Sequence, residues 1–263
     1  MLNRIFLLAL SIVLLTMRVA AQESKRITTQ QLAWVAYVNT LKFNEHWSLG
    51  TDVQERFFID PIAQHQFLVR THAARAVGNG WEVRMGGAIF FQHPHDPRST
   101  SALVVPELRP HLEVNHGIKT SRMRVGHRYR FEARYIHQVT AGELSGGFAF
   151  TNYRFRYQVG IEVPLLTRKS GTGATERLYL RFFDEIFLNA GSKVVMNTFD
   201  QNRICIGLGY WTCPSLSIEL GYLNWFQQLS TGADYYSRHI IRLAVVQRID
   251  LSMKNEPAAT GEP

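Results

Sequence analysis

The sequence is short of cysteine, short of acid, and almost without long apolar runs. Its two cysteines, Cys205 and Cys213, lie eight residues apart. On an extended segment that is roughly 26 Å, at about 3.3 Å per residue. A disulfide needs Cα atoms within about 7 Å. Both thiols are therefore expected free, and stability must come from another source. Acid is scarce relative to base, with 21 Asp+Glu against 29 Lys+Arg and a formal charge of +8. No fixed-length repeat, low-complexity run or interdomain linker is visible. Helical spacing of apolar residues is missing as well. With 46% hydrophobic and 12% aromatic residues, the chain is nonetheless too apolar to be disordered.

The single long apolar run is at the start. Arg4 gives a positive beginning, Ile5 to Met17 is uncharged, and Val19-Ala20-Ala21 supplies the small residues of a cleavage site. This is the pattern of a secretory signal peptide, with cleavage expected between Ala21 and Gln22. The run is too short for a spanning helix, which needs roughly 20 apolar residues. No cysteine follows the small residues, so a lipoprotein anchor is not expected. Without Arg4 and Arg18 the balance is 27 to 21, still +6. Such a balance can indicate nucleic-acid binding, but export and the periodic placement of the arginines argue against that.

What is present is a period of two. In SRMRVGHRYRFEARYI, from Ser121 to Ile136, Arg122, Arg124, Arg128, Arg130, Glu132 and Arg134 share one parity. Met123, Val125, Tyr129, Phe131, Ala133 and Tyr135 share the other. Glu107, Arg109, His111, Glu113 and Asn115 alternate with Leu108, Leu112 and Val114, and Asn152, Arg154, Arg156, Gln158 and Glu162 with Tyr153, Phe155, Tyr157 and Ile161. Arg203 with Gly207 and Gly209, and Ser217 with Glu219 and Gly221, continue the theme. Successive side chains of a strand point to opposite faces, so this is the strand period. About eleven such segments follow the leader.

Segment length separates the possible all-β architectures. Ordinary strands run about 5–6 residues, whereas a tilted membrane-crossing strand needs roughly 9–11. Several segments here reach or exceed that. KFNEH, GNG, GIKT and TCPS read as tight connections, and HPHDPRSTSALVV, HQVTAGELSGG and NAGSKVVMNT as long polar loops. Short turns on one side and long loops on the other characterise outer-membrane barrels. The expected architecture is thus all-β: an antiparallel transmembrane β-barrel of about 10–12 strands after a cleaved signal peptide. Residues 1–21 are the leader, 22–253 the barrel, and 254–263 a disordered tail. Bacterial barrels have even strand numbers, so ten or twelve strands are expected. Tyr129, Phe131, Tyr135, Tyr153, Phe155, Tyr157, Trp81, Trp211, Tyr222 and Trp225 are the expected interface aromatics.

The order of features resembles domain-of-unknown-function family 2490, predicted outer-membrane β-barrels of Gram-negative bacteria. The likeness is carried by QLAWVAYV, LGTDVQERF, VGHRYRFEARY, FRYQVGIEVPL, LYLRFFDEIFLN and FDQNRICIGLGY, and spans nearly the whole mature chain. It implies an outer-membrane location and a barrel. It implies no established activity, so no catalytic residue is carried over.

The strongest constellation is therefore the charged parity, expected to line the lumen: Glu107, Arg109, Glu113, Arg122, Arg124, Arg128, Arg130, Glu132, Arg134, Arg154, Arg156 and Glu162. These side chains either seal the bore with paired forks or leave a narrow pore favouring small anionic solutes. A rival reading is a lipid-modifying acyl hydrolase or transferase at the outer leaflet, which would draw on His127, or on Ser99 and Ser101 near His93, His95 and Asp96; no recognisable triad spacing is present. His93-Pro94-His95-Asp96 reads either as a metal ligand set or as a stiff loop, and Asp184-Glu185 as a strand end or a lumen acid pair. No catalytic residue, metal or cofactor is assigned. The expected partners are outer-membrane lipid, the barrel-assembly machinery and small anionic solutes, with no nucleic acid.

Overall fold

In the computed structural model the described residues are 25–169 and 175–252. They form eleven strands: β1 (Arg26–Lys42), β2 (Trp47–Ile59), β3 (Ile62–Gly78), β4 (Trp81–Gln92), β5 (Val105–Lys119), β6 (Arg124–Thr140), β7 (Glu143–Lys169), β8 (Thr175–Ala190), β9 (Phe199–Cys213), β10 (Leu216–Gln228) and β11 (Asp234–Asp250). Each strand pairs with its sequence neighbours, and the sheet closes into a barrel. The expected signal peptide and the tail at 254–263 lie outside the described residues.

An even strand count was expected, and neither ten nor twelve is found. Neighbouring strands run antiparallel, so an odd number brings the first and last strands together in the same direction. β1 and β11 accordingly pair in parallel, from Arg26 opposite Asp234 to Lys42 opposite Asp250. The first segment is a full barrel strand of 17 residues, and a parallel seam resolves the parity. The seam has polar contacts along its length. Arg26 pairs with Asp234 at 2.7 Å and Lys42 with Asp250 at 2.9 Å. Between them, the Tyr37 hydroxyl donates to Gln247 at 2.5 Å, and Arg238 Nε donates to Gln30 at 2.7 Å.

The strands sort their side chains by parity. On β5, Leu112 and Val114 are exposed while Glu107, Glu113 and His111 are buried; on β6, Tyr129 and Phe131 are exposed while Arg130 and Glu132 are buried. Exposed apolar residues recur on β8, β9, β10 and β11, among them Phe182, Ile206, Leu220 and Ile241. The outer surface is thus a continuous apolar belt, and the closed ladder leaves no unpaired edge beneath it. Contacts between strands that are not neighbours identify the inner face. Arg128 on β6 reaches Glu185 on β8, and the rings of His65 on β3 and Trp225 on β10 lie 5.8 Å apart.

Two expected features are corrected. HQVTAGELSGG is not a loop: β6 and β7 continue through it, and the chain reverses at Ala141 and Gly142, with φ of 54° and 82°. This hairpin is largely exposed on both faces, so no hydrophobic alternation marks it as strand. Arg122 does not lie on a strand. It sits in the turn closed by Thr120 and Met123, whose backbone groups bond at 2.9 Å, and it is exposed. The alternation runs on through this turn, which hides the boundary. Among the described connections, 93–104, 191–198 and 229–233 share one rim with the β6–β7 hairpin and the short 60–61 link. The tight turns at 43–46, 79–80, 120–123 and 214–215 share the other.

Not all aromatics face outward. Trp211 and Trp225 were expected at the membrane interfaces, yet both are buried, together with Trp34. They lie on the inward parity of β9, β10 and β1, where Trp34, Leu32, Phe58, Leu223, Trp225, Ile240 and Cys205 pack into one cluster. Parity decides their direction and residue type does not. Cys205 and Cys213 are free, as the extended spacing requires.

Candidate lumen site

Eleven of the twelve expected lumen residues lie on strands β5, β6 and β7, and Arg122 lies off them. The structure brings most of the eleven into one network. Glu107 is fully buried and accepts from Arg109 Nε and Nη2 at 2.6 and 2.8 Å and from Arg134 Nε and Nη2 at 2.5 and 3.0 Å. Gln92 also donates to it. Glu113 accepts from Arg130 Nε at 2.6 Å, from Arg84 at 3.0 Å and from Asn115 at 2.8 Å. Glu132 receives Arg156 at 2.6 Å and Arg130 at 3.4 Å. Glu185, on β8, receives both Arg156 and Arg128 at 2.8 Å. Arg154 pairs with Asp200 at 3.0 Å. Arg124 stands 3.8 Å from Glu162 near the short-turn rim, and Arg177 takes Glu162 at 2.7 Å. Alternation creates this network: every second residue of adjacent strands faces the same enclosed space, where planar guanidinium forks reach carboxylates across the ladder.

Sequence reasoning left several members out. Arg56, Arg70, Arg84, Glu219, Arg238 and Arg242 also face inward, and Glu219 accepts from Arg181 at 2.8 Å, Arg242 at 3.1 Å and the Tyr179 hydroxyl at 2.8 Å. Their parity was readable, but on β2, β3, β4, β10 and β11 it carries apolar residues as well, among them Phe58, Leu68, Phe90, Leu223 and Ile240, which dilutes the charge pattern. Adjacent Asp184 and Glu185 part company, as strand geometry demands. Glu185 points inward, whereas Asp184 accepts from Asn202 at 2.6 Å.

Three inward arginines have a different kind of partner. Arg56 donates to Gln54 at 2.6 Å and to Gln66 at 2.8 Å. Arg203 donates to Gln201 at 3.2 Å. Arg238 donates to Gln30 at 2.7 Å and to Gln227 at 2.5 Å. Among the described residues none of the three forms an ion pair. Their faces are covered by aromatic rings instead. Arg56 lies 3.9 Å over Trp34, Arg203 lies 4.6 Å over Trp225, and Arg238 lies 4.3 Å over both Trp225 and Tyr236. Arg203 Nε and Arg238 Nη2 are buried without an acceptor.

The interior space divides at this group. A cavity of about 340 Å³ is lined by Arg84, Arg128, Gln158, Arg181 and Arg248, and a neighbouring pocket of about 480 Å³ shares these residues, reaches Lys119 and Arg124 at the short-turn rim and also takes in the outward-facing His116, Val125, His127 and Ile161. A separate cavity of about 80 Å³ is lined by Arg56, Arg109, Arg134, Arg154 and Arg203, by Gln66, Gln92, Gln201 and Gln227, and by Trp225 and His95. Arg56 and Arg203 border both the 340 and the 80 Å³ cavities. His95 comes from the long 93–104 connection. Its ring stands 5.8 Å from His65 and 6.1 Å from Tyr236, and its carbonyl accepts from Gln30 at 2.8 Å. Desolvation, then the Arg238 and Arg134 guanidiniums, hold its imidazole down at about 4, although the residue as a whole is exposed.

The candidate catalytic groups do not converge. His127 faces outward near the short-turn rim, with Nδ1 at 2.9 Å from the Tyr157 hydroxyl. It belongs to a row of rings on β4 to β7, in which Trp81 stacks on His116 at 4.2 Å, next to His127 and Tyr157. Amphipathic rings of this kind suit a membrane interface. Ser99 and Ser101 lie in the 93–104 connection at the opposite rim. Asp96 there caps the Arg98 backbone N–H at 2.9 Å, the role of a loop former. Among the described residues no three His, Cys, Asp or Glu side chains are placed to hold a metal ion.

Among curated proteins none matches the chain. Among solved structures, a NanC porin in a rhombohedral crystal form is similar at 14% identity and a TM-score of 0.45, over 75% of this chain and 84% of that one. The sequence profile of the proteins of unknown function DUF2490 matches residues 31–236, most of the barrel, and the chain belongs to that family.

Proposed function

We propose that the protein is an outer-membrane barrel that passes small anions through a narrow constriction formed by Arg56 and Arg203. The observation that carries this reading is the positive charge without a carboxylate partner where Arg56 and Arg203 border two interior cavities. Arg56, Arg203 and Arg238 are held by carboxamides, which position a guanidinium without cancelling it. Fixed positive charge inside a low-dielectric wall raises the local anion concentration and repels cations. The apolar belt supports insertion in a bilayer, and strands of 12 residues or more are long enough to cross one.

The test is conductance in planar bilayers with a salt gradient. Current steps with a reversal potential on the anion side are expected, weakened in R56Q and R203Q. Cation-selective steps would refute the proposal. A second reading, a barrel sealed by its own ion pairs, is favoured by the Arg128–Glu185 bridge between non-neighbouring strands. Absence of conductance from the folded, inserted protein would select it.

A further inference from the structure

We infer that the 80 Å³ cavity is a binding site for one small oxyanion, of the phosphate or sulfate class. This deepens the anion reading above and rests on it for the biological direction of traffic, but occupancy of the site does not require conduction.

The argument begins with how the interior treats its other arginines. Along β5 to β8 a guanidinium meets a carboxylate, the usual solution for enclosed charge. Around Trp225 that rule is broken three times, always with glutamine as the substitute. A carboxamide oxygen orients Arg56, Arg203 or Arg238 while leaving the full positive charge. Arg109, Arg134 and Arg154 also approach, but Glu107 and Asp200 balance part of their charge. Five arginines and no carboxylate line the cavity, so a positive excess remains at its wall.

The donors are aimed edge-on by their surroundings. Trp34, Trp225 and Tyr236 cover guanidinium faces, so the N–H groups in the plane are what remains for an acceptor. Arg203 Nε, on the cavity wall, is buried and unpartnered, as is Nη2 of Arg238, which lies outside that wall but donates to Gln227 in it, and an unsatisfied buried donor on a charged group is costly. An anion with several oxygens in one compact body answers both the missing charge and the missing acceptors, through forks like those Arg makes to phosphate. Size restricts the class. Water's share of liquid volume is about 30 Å³, so a cavity of about 80 Å³ takes a group of a few heavy atoms and not a sugar. The ring of inward side chains around it keeps phospholipid headgroups out, so the ligand is the free ion.

The experiment is calorimetry and thermal denaturation of the full mature chain in neutral detergent without phospholipid, titrated with inorganic phosphate and sulfate against chloride at matched ionic strength. Saturable binding of one oxyanion per chain is expected, with a higher melting temperature than in chloride. R203Q should weaken it at least tenfold. Because R203Q loses ring packing too, Q227E provides the second arm. Gln227 already accepts from Arg238, so a carboxylate there keeps the contact and adds the missing negative charge. Q227E should fold and also weaken oxyanion binding about tenfold or more, as expected for a fixed like charge within several ångströms. R122Q, in the exposed turn at the opposite rim, should bind like the unaltered protein. Identical responses to phosphate, sulfate and chloride, or undiminished binding in folded Q227E, would overturn the site. Binding without conductance would instead leave the site standing and sink the passage reading.

Discussion

Removing the Glu185 carboxylate is the sharpest test of the lumen network. Glu185 is 2% exposed and receives Arg128 and Arg156, both at 2.8 Å. In E185Q the amide still accepts one hydrogen bond, but two guanidiniums lose their counter-charge. A pair at about 4 Å is worth roughly 4 kcal/mol at an effective dielectric near 20, offset in part because a neutral amide is easier to bury. Breaking a buried pair by removing one partner generally costs about 3–5 kcal/mol. Arg156 retains Glu132 at 2.6 Å, and Arg128 has partial access to water, with 22% of its side chain exposed. We therefore expect a loss of about 3 kcal/mol, measured by urea unfolding in lipid vesicles and followed by tryptophan fluorescence. In a double-mutant cycle with R128Q, the coupling should be about 1–3 kcal/mol. Arg128 and Glu185 sit on strands separated by β7, so coupling of that size requires a contact through the lumen. A loss below about 1 kcal/mol, or additivity within about 0.5 kcal/mol, would refute the inward bridge.

Other outcomes follow from the same geometry. Leu112 and Leu220 are 54% and 58% exposed near the middles of β5 and β10; L112R or L220R should each cost about 2–4 kcal/mol in a bilayer, and unchanged vesicle unfolding curves would remove the lipid-facing assignment. In G209A the new methyl would strike the Tyr179 ring. The Tyr179 bonds to Ser217 and Glu219, at 2.9 and 2.8 Å, should be lost, at about 1–3 kcal/mol for the stranded groups, with Y179A relieving the clash. His95 gives a pH dependence. Its folded-state affinity for a proton is depressed, so the stability that the neutral ring gives its place in the mouth is complete above about 6.5 and declines as pH falls toward 4. Protonation places it against Arg238 and Arg134, beside His65 and Tyr236. Conductance should therefore rise on acidification from the long-connection rim and lose that dependence in H95Q. An unaltered profile in H95Q would assign the titration elsewhere.

Much of the fold was legible because alternation is a direct readout of a strand with two different solvents. Arg130 beside Phe131, repeated along β5 to β7, needs a wet face and an oily one. The signal failed where the environments cease to differ. The hairpin at Ala141 and Gly142 meets water on both faces, and β1 carries Trp34 and Leu32 inward with Val35 and Tyr37 outward. Of the site, the carboxylate-paired arginines were legible because their pattern is local. The glutamine-held group was not. Arg56, Arg203 and Arg238 come from β2, β9 and β11, and only closure of the barrel brings them around Trp225.

Closure itself rests on partners 208 residues apart in sequence, the separation of Arg26 from Asp234 and of Lys42 from Asp250. A parallel ladder tolerates a two-residue slide without turning either strand over, so side-chain direction alone leaves its alignment free by steps of two. One opposite-charge couple at each extremity removes that freedom, like dowels at the two ends of a joint. Neutralising one charge at one extremity alone, as in D234N, would leave a cylinder that still forms but has lost one of the two marks by which its ends find each other.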